Sequence, residues 1–85
     1  LVGVMVFTKK ENVSIGIMEN VHRGVTRWDG MGCYTDEETK VYYSVANKYE
    51  LPALKQEIHK IDPDAFIVCT ENVQVDGKFA KRLSD

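Results

Sequence analysis

The sequence predicts an α+β domain in which strands and helices follow one another in the order βαββαβ. Two observations lead to this prediction. Apolar residues recur at helical spacing in two segments, and short segments rich in β-branched and aromatic residues lie around them. A chain of 85 residues is long enough for one domain with one core.

The first strand and the first helix each have a clear signal. Residues 1–7 are apolar at nearly every position, which is typical of a central strand that is covered on both faces. Thr8 and Glu11 match the Thr-x-x-Glu capping box, so a helix is predicted to begin just after Thr8. Helical spacing predicts its buried stripe to be Val13, Ile17, Met18 and Val21.

The middle of the chain is predicted to contain two strands and a loop. Positive charge at residues 22–23 suits the last turn of the first helix, and Gly24 is predicted to stop it. Residues 25–29 read as a short second strand, and residues 30–39 as a loop with glycines followed by acidic residues. Residues 40–46 are the predicted third strand, with three side chains on one face: Val41, Tyr43 and Val45.

The second helix has both start and stop signals. Asn47 and Glu50 resemble a second capping box, and Pro52 is acceptable in the first turn of a helix. The stripe at helical spacing is Leu51, Leu54, Ile58 and Ile61. Asp62 ends the helix because it precedes a proline, and residues 65–70 are predicted to form the fourth strand.

The order of the elements restricts the topology. Each helix joins two parallel, non-adjacent strands, and right-handed crossovers put both helices on one face of the sheet. The ferredoxin-like βαββαβ two-layer sandwich, with the antiparallel sheet order 4-1-3-2, meets this requirement. The predicted domain covers residues 1–72, and residues 73–85 form a tail that either adds a short edge strand or is loose.

One face of such a sheet has no helices. Since both faces of the first strand are apolar, the second face is predicted to be buried by other subunits or by the tail. The sequence therefore predicts a homo-oligomer.

Composition and side-chain spacing exclude several functions. A net charge of −2 without a basic stripe argues against nucleic acid as a partner. Cys33 and Cys69 lack CxxC spacing, which favours two reduced thiols over a disulfide. His22 and His59 lie on different helices without acidic partners, so no metal site is predicted. We expect no cofactor and no enzymatic activity, and Cys33 as a nucleophile is a remote alternative.

The candidate ligand site lies along the second strand and the loop after it. Its predicted residues are Thr26, Asp29, Gly30, Gly32, Tyr34 and Thr35, with Lys78 and Phe79 supplied by the tail. Glycines let backbone N–H groups approach an anion or a carbonyl group. The Thr and Asp side chains offer directional hydrogen bonds, the aromatic rings offer flat contact, and the lysine suits a phosphate.

Each of these residues also has a purely structural interpretation. Gly24 is explained as a helix cap, and Asp29 as a turn residue before a glycine. Trp28 and Tyr34 could pack strand two against a neighbour instead of stacking on a ligand. The acidic residues 36–38 are a solvated loop or a weak cation site.

Three blocks of the sequence resemble a known bacterial family. These are Arg-Gly-Val-Thr at residues 23–26, Gly-Met-Gly-Cys-Tyr-Thr at residues 30–35, and Ile-Asp-Pro-Asp-Ala-Phe at residues 61–66. They are similar to the C-terminal cytoplasmic domain of unknown function of YitT-type multi-pass membrane proteins, and the resemblance covers nearly the whole chain. The chain departs from the pattern at Cys33 and Asp36, where that family commonly has glycine.

The resemblance implies a fold and a function. The family is grouped with PII-like signalling domains, in which small effectors, often nucleotides, bind between subunits under the loop joining strands two and three. It implies an uncharacterised regulatory domain that senses a small cytosolic effector for the membrane domain of the same polypeptide, at the cytoplasmic face of the cell membrane. The alternative is a structural oligomerisation module that binds no small molecule. The sequence starts within an apparent strand and lacks an initiator Met, which predicts a domain excised from a longer protein.

Overall fold

The computed structural model describes residues 1–21 and 24–77 and contains a four-stranded antiparallel sheet in the order β2-β3-β1-β4. This is the predicted order 4-1-3-2 read from the other edge, so the predicted ferredoxin-like topology is confirmed. The elements are β1 (Val2–Thr8), α1 (Val13–Val21), β2 (Thr26–Gly32), β3 (Glu37–Ala46), a 3-10 turn (Lys48–Glu50), α2 (Leu51–Ile61) and β4 (Phe66–Thr70).

The core lies between the sheet and the two helices. Alternate side chains of β1 point into it, and β3 contributes Tyr42 and Ala46. The buried apolar residues that the helices and β1 bring together are Val2, Val4, Val6, Val13, Ile17, Leu54 and Ile58. Each such side chain is worth roughly 1.5–3 kcal/mol when buried, so this layer is the main source of stability. Both helices share this one cluster and therefore cover the same face of the sheet.

The two helices approach closely at a glycine of α1. A Cβ atom added to Gly16 would lie 2.8 Å from Cδ1 of Ile61 on α2. A larger side chain at this position would have to displace the tip of the Ile61 side chain, so the close contact favours glycine here although it is a poor helix former. In the part of the chain that is described, no helix combines the length and apolar character needed to cross a membrane.

The predicted buried stripe of α1 is only partly right. Val13 and Ile17 are buried, but Met18 is 44% exposed and lies at the rim of a groove beside β2. Met18 stays exposed because α1 does not fully cover β2, the strand at the edge of the sheet. The buried stripe of α1 is therefore narrower than helical periodicity predicts. The side chain of Val21 and the whole of residues 22–23 lie outside the described part.

The predicted start of the first helix is wrong. α1 begins at Val13, and Thr8 is the last residue of β1. The Thr8 hydroxyl group donates a hydrogen bond to Oδ2 of Asp62 and accepts one from the backbone N–H of Lys10. Because this oxygen is already occupied, it does not cap a helix at residue 9.

The predicted helix stop at Gly24 directly follows residues 22–23, which lie outside the described part, so this cap stays a prediction. The Gly24 carbonyl group accepts a hydrogen bond from the Ser44 hydroxyl group at 3.4 Å.

The predicted loop of residues 30–39 is mostly β-structure. β2 continues to Gly32 and β3 begins at Glu37, so the connection has only four residues, 33–36. Antiparallel pairing satisfies the backbone N–H and C=O groups that a loop would leave to water. The turn closes with a hydrogen bond from the Asp36 N–H to the Gly32 carbonyl at 2.7 Å, and Asp36 has φ = 57°.

The second half of the chain follows the sequence prediction closely. The Asn47 N–H donates to Oε1 of Glu50 at 2.7 Å, which is one half of the predicted capping box. A single 3-10 turn precedes α2, whose stripe is buried at Leu54 and Ile58 and half-buried at its two ends. The helix ends before Asp62, as predicted.

The face of the sheet away from the helices is apolar, and no described helix covers it. Two cross-strand rows form this open face: Phe66, Phe7, Val41 and Trp28 in the first, and Val68, Met5, Tyr43 and Thr26 in the second. The Phe7 and Phe66 rings pack at 5.6 Å between centroids. Phe66 is 63% exposed, Trp28 45% and Val68 39%, so large apolar groups remain in contact with solvent.

The described part of the tail covers one corner of the open face. The Val73 N–H donates to the Leu1 carbonyl at 3.0 Å, and the Val73 side chain lies over Gly3. Residues 73–77 contain no strand, and residues 78–85 of the predicted tail lie outside the described part. This segment therefore leaves the ends of the two rows exposed, on β2 and β4, whereas the central side chains on β1 and β3 are half-buried or, at Val41, buried.

The left-handed backbone at Asp36 gives a test of the hairpin. Replacing Asp36 with Gly should raise the free energy of unfolding by about 0.5–1 kcal/mol, because glycine adopts positive φ without the steric cost of a Cβ atom. Urea denaturation measures the change. Asp36→Ala removes the same charge but keeps a Cβ atom, so it should not stabilise the domain. Equal stabilisation by both variants would show that charge, and not φ, is responsible.

Candidate functional site

Alternation along β2 separates the predicted site residues. Thr26, Gly30 and Gly32 lie on the open face, whereas Asp29 points to the opposite side of the sheet. There Oδ1 of Asp29 lies 3.6 Å from Nε of Arg27. A hydrogen bond with Tyr42 and then the charge of Asp29 raise the pKa of Arg27 above its ordinary value. The structure therefore brings Thr26, Gly30 and Gly32 to one face of the sheet and places Asp29 on the other face.

The remaining predicted residues lie at the hairpin turn or beyond the described part. Tyr34 is fully exposed at the turn, and Thr35 is exposed beside it. Lys78 and Phe79 lie outside the described residues. A ligand contact by any of these four residues stays a prediction.

Gly30 has no steric reason to be glycine. A Cβ atom there would lie 3.7 Å from Cγ2 of Thr39 and 4.0 Å from Cγ2 of Val41, which are ordinary contacts, and its φ is not positive. Glycine weakens a strand and often marks a place where a ligand or another backbone approaches closely. The open face at Gly30 is therefore suited to a close approach.

A pocket of about 380 Å³ lies at the end of the sheet where β1 stops and β3 begins. It is lined by Phe7, Thr8, Lys9, Lys10, Thr39, Asp62 and Asp64. These residues come from the β1–α1 connection, from β3 and from the segment after α2, so the pocket depends on the full crossover topology. We refer to it as the sheet-end pocket.

A buried hydrogen bond organises the sheet-end pocket. Thr8 Oγ1 donates to Oδ2 of Asp62 at 2.5 Å, with Thr8 4% and Asp62 6% exposed. Oδ1 of Asp62 accepts from the backbone N–H of Asp64 at 3.1 Å. Both carboxylate oxygens thus have donors inside the protein, which offsets the cost of burying a charge.

Two lysines, Lys9 and Lys10, supply the cationic groups of the sheet-end pocket, whose lining also includes the carboxyl groups of Asp62 and Asp64. Lys9 forms an exposed ion pair with Glu37, with Nζ and Oε2 2.5 Å apart. Lys10 has no ion-pair partner among residues 1–21 and 24–77. Its ammonium group is therefore available to an anionic ligand, with the Thr8 and Thr39 hydroxyl groups and the Phe7 ring nearby.

The pocket is connected to the β2–β3 hairpin. Thr39 lines the pocket, donates from Oγ1 to the Thr8 carbonyl at 3.3 Å, and pairs across the strands with Gly30. The ion pair between Lys9 and Glu37 makes a second connection, at the first residue of β3. A ligand in the pocket would contact the residues that position the hairpin.

Only indirect signals for the sheet-end pocket are present in the sequence. The local pattern assigns Thr8 to a helix cap and Asp62 to a helix stop, although a proline alone is sufficient to stop a helix. The aspartate in the block Ile-Asp-Pro at residues 61–63 is thus left without a role of its own. Asp62 accepts a hydrogen bond from the hydroxyl group of Thr8, 54 positions earlier in the chain, and no local pattern reveals this contact.

Other chemistry is sparse in the described part of the chain. No group of three or more His, Cys, Asp or Glu side chains there could hold a metal ion. Cys33 is exposed, Cys69 is half-buried, and both are free thiols. The arrangement suits binding by charge and hydrogen bonds.

Comparison of sequences connects the chain to bacterial proteins. Residues 23–77 match the family described as "Uncharacterized protein conserved in bacteria (DUF2179)". The UPF0750 membrane protein YpjC of Bacillus subtilis is 38% identical over 74 residues, covering 87% of this chain and 26% of that protein. An uncharacterized protein in the cccA 5′ region of Bacillus sp. PS3 is 32% identical over 81 residues, covering 95% and 54%. The chain thus spans between about a quarter and about half of these two relatives.

Comparison of structures gives the same fold. A DUF2179 protein from Eubacterium ventriosum superposes with a TM-score of 0.57 at 25% identity, covering 80% of this chain and 97% of that one. A putative PII-like signaling protein from Thermus thermophilus superposes with a TM-score of 0.56 at 13% identity, covering 82% and 85%. At 13% identity, the similarity to the PII-like protein shows a shared fold.

Removing the Thr8 hydroxyl group tests the buried hydrogen bond. Thr8→Val should lower the free energy of unfolding by about 1–3 kcal/mol, because Asp62 would keep its burial and lose a donor. Thr8→Ser retains the hydroxyl group and should be affected less. Both are measured by urea denaturation. A Thr8→Val variant as stable as the original chain would show that this hydrogen bond contributes nothing.

Proposed function

The chain belongs to the DUF2179 family of uncharacterized bacterial proteins, and from this membership we propose that it is a regulatory domain that senses a small cytosolic effector. Relatives of the chain are UPF0750 membrane proteins of which it matches only a part. In our proposal it lies at the cytoplasmic face of the membrane and reports effector binding to an attached membrane domain. It performs no catalysis.

The observation that carries this proposal is the connection between the sheet-end pocket and the hairpin. A sensor needs a place for the effector and an element whose position depends on it. The pocket supplies the first, and the Thr39 and Lys9 contacts to the hairpin supply the second. The fold shared with a PII-like protein is in keeping with a signalling role.

The lining of the pocket favours an anionic effector. The Lys10 ammonium group and the ring of Phe7 are available to a ligand, whereas the hydroxyl groups of Thr8 and Thr39 already donate within the protein. The exposed Asp64 also lines the pocket. Both oxygens of the Asp62 carboxylate are already engaged within the protein. A nucleotide combines a phosphate for the lysine with a flat base for the ring, and we propose this class first.

The structure of the hairpin restricts the ways in which effector binding could be transmitted through the domain. Residues 30–39 are largely paired strands, so a switch from disorder to order of a long loop is not available. Instead, an anion bound by Lys10 would also attract Lys9 and weaken its exposed ion pair with Glu37. The hairpin would then move as one paired unit relative to β1.

The open face supports a second candidate function, a structural oligomerisation module. Phe66, Trp28 and Val68 expose apolar surface in two continuous rows, which a monomer rarely leaves in contact with solvent. We propose that other copies of this chain cover this face. Self-association is compatible with sensing, but without an effector it would be the whole function.

A ligand screen distinguishes the two candidates. We expect one or more of ATP, ADP, AMP and cyclic dinucleotides to raise the thermal midpoint of the chain. A ligand at a hundredfold excess over its Kd should add about 2.7 kcal/mol of stability. A module that only oligomerises should show no shift with any nucleotide at any concentration.

A charge substitution then locates the site. Lys10→Gln should weaken binding of the best nucleotide about tenfold, because one charge-assisted hydrogen bond is lost. Lys55→Gln, which removes an exposed lysine of α2, is the matched control and should bind normally. Equal loss in both variants would indicate only a general charge effect.

Gly32→Val tests whether the hairpin takes part. A Cβ atom there would lie 3.1 Å from Thr35 Oγ1, an exposed side chain that can move, so the fold should tolerate the change. Gly32 does not line the sheet-end pocket, so nucleotide binding should be lost only where the effector also contacts the hairpin backbone. A normal titration curve for Gly32→Val would place the effector away from the hairpin.

Self-association through the open face has its own prediction. Phe66→Glu should convert the oligomer to monomer in light-scattering measurements at micromolar concentration, because it places a charge in an apolar contact. Tyr49→Glu alters an aromatic residue that is 78% exposed outside the sheet and should leave the oligomer intact. If the original chain is itself monomeric at this concentration, the prediction is wrong.

A further inference from the structure

We propose that the groove between α1 and β2 binds a small monocarboxylate with an apolar tail, whose carboxylate group pairs with Arg27. The groove has a volume of about 440 Å³ and is lined by Glu11, Ser14, Met18, Val25, Arg27 and Tyr42. It shares no lining residue with the sheet-end pocket. This second site is therefore independent of the proposed sensing function.

The groove exists because β2 is an edge strand whose helix-facing side chains stay partly exposed. Across the sheet, Arg27 is opposite Tyr42, and the same row continues through Val6 to Ile67. All neighbours in this row are core residues or pack against the core. Arg27 thus puts a cation, 44% exposed, at the end of an apolar layer.

Neighbouring groups hold the Arg27 side chain in position. The Tyr42 hydroxyl group donates its proton to the Glu11 carbonyl at 3.1 Å, which leaves its oxygen free to accept a hydrogen bond from Arg27. On the other side, Asp29 Oδ1 lies 3.6 Å from Nε. The remaining N–H groups of the guanidinium form a planar fork, the geometry that binds a carboxylate with two hydrogen bonds.

The groove selects the charge of its ligand. The carboxylates of Asp29 and Glu11 lie near Arg27, although Glu11 is also 3.8 Å from Nζ of Lys40. A dianion such as a phosphate monoester would therefore be repelled more strongly than a monoanion. A single negative charge needs only one cation and meets less of this repulsion.

Part of the groove wall, at Met18 and Val25, is apolar and could contact the tail of a ligand. Met18 is 44% exposed and Val25 half-buried along the wall. A thioether side chain adapts to differently shaped apolar partners. The methionine that helical spacing predicts to be in the core is therefore available to contact a ligand.

Octanoate is the probe that tests this proposal, because it joins one carboxylate to an aliphatic tail. In an NMR titration of the 85-residue chain, octanoate should shift the methyl signals of Met18 and Val25 and the Nε–H signal of Arg27. Octylamine has the same tail with the opposite charge, and acetate has the charge without the tail. Neither should produce these shifts at the same concentration.

Two variants complete the test. Arg27→Gln should weaken octanoate binding at least tenfold, and Met18→Ser, at an exposed position that the fold tolerates, should weaken it severalfold. Lys55→Gln removes a positive charge elsewhere and should bind as the original chain does. Full affinity in Arg27→Gln, or shifts of equal size with octylamine, would overturn the proposal. So would the absence of octanoate binding, which would leave Arg27 as a charge that protects the β2 edge from pairing.

Discussion

Strand β1 hydrogen-bonds to a neighbour along both edges and is apolar on both faces, and the positions of the other elements depend on it. The side chains of Val2, Val4 and Val6 pack in the core with residues of the two helices. Met5 and Phe7 lie in the two rows of the open face. The last residue of β1, Thr8, joins the sheet to the end of α2 through Asp62. A shift of one residue in its pairing would exchange these two faces and remove the core and the sheet-end pocket together.

The fold could be predicted well from the sequence because it depends on periodicity, whereas the sites depend on contacts between distant residues and could not. The stripe around Leu54 and Ile58 is a local signal. The order of the strands in the sheet follows from the order of the elements along the chain together with right-handed crossovers. The predicted hairpin loop is too long because glycine is typical of loops, whereas Gly30 and Gly32 lie in a paired strand. The contact of Thr8 with Asp62 could not be predicted, because Thr8 also matches a local motif, the helix capping box, and the sequence alone favours that local role.

Three surfaces formed by residues 1–21 and 24–77 are candidates for interactions, and each combines apolar and polar groups differently. The open face is almost wholly apolar and suits another copy of the chain. The sheet-end pocket has a lysine without an ion-pair partner among the described residues, near the engaged carboxylate of Asp62 and the exposed Asp64. The groove at Arg27 has a guanidinium group near two carboxylates, and one of these, Glu11, also lies 3.8 Å from Nζ of Lys40. Because β2 contributes Trp28 to the first surface and Arg27 to the third, a change in this strand could affect both.

The hydrogen bond between Val73 and Leu1 has a mechanical consequence. The start of β1 and the end of β4 lie side by side, since Gly3 pairs with Thr70, and the Val73 N–H closes the same corner. A force that pulls these two points apart would act across the ladder and open one cross-strand pair at a time. Shearing the strands past each other would require breaking several pairs together. If tension from a membrane segment reached the domain here, β4 would peel away first, and the helix-covered core around Val4 would be exposed only afterwards.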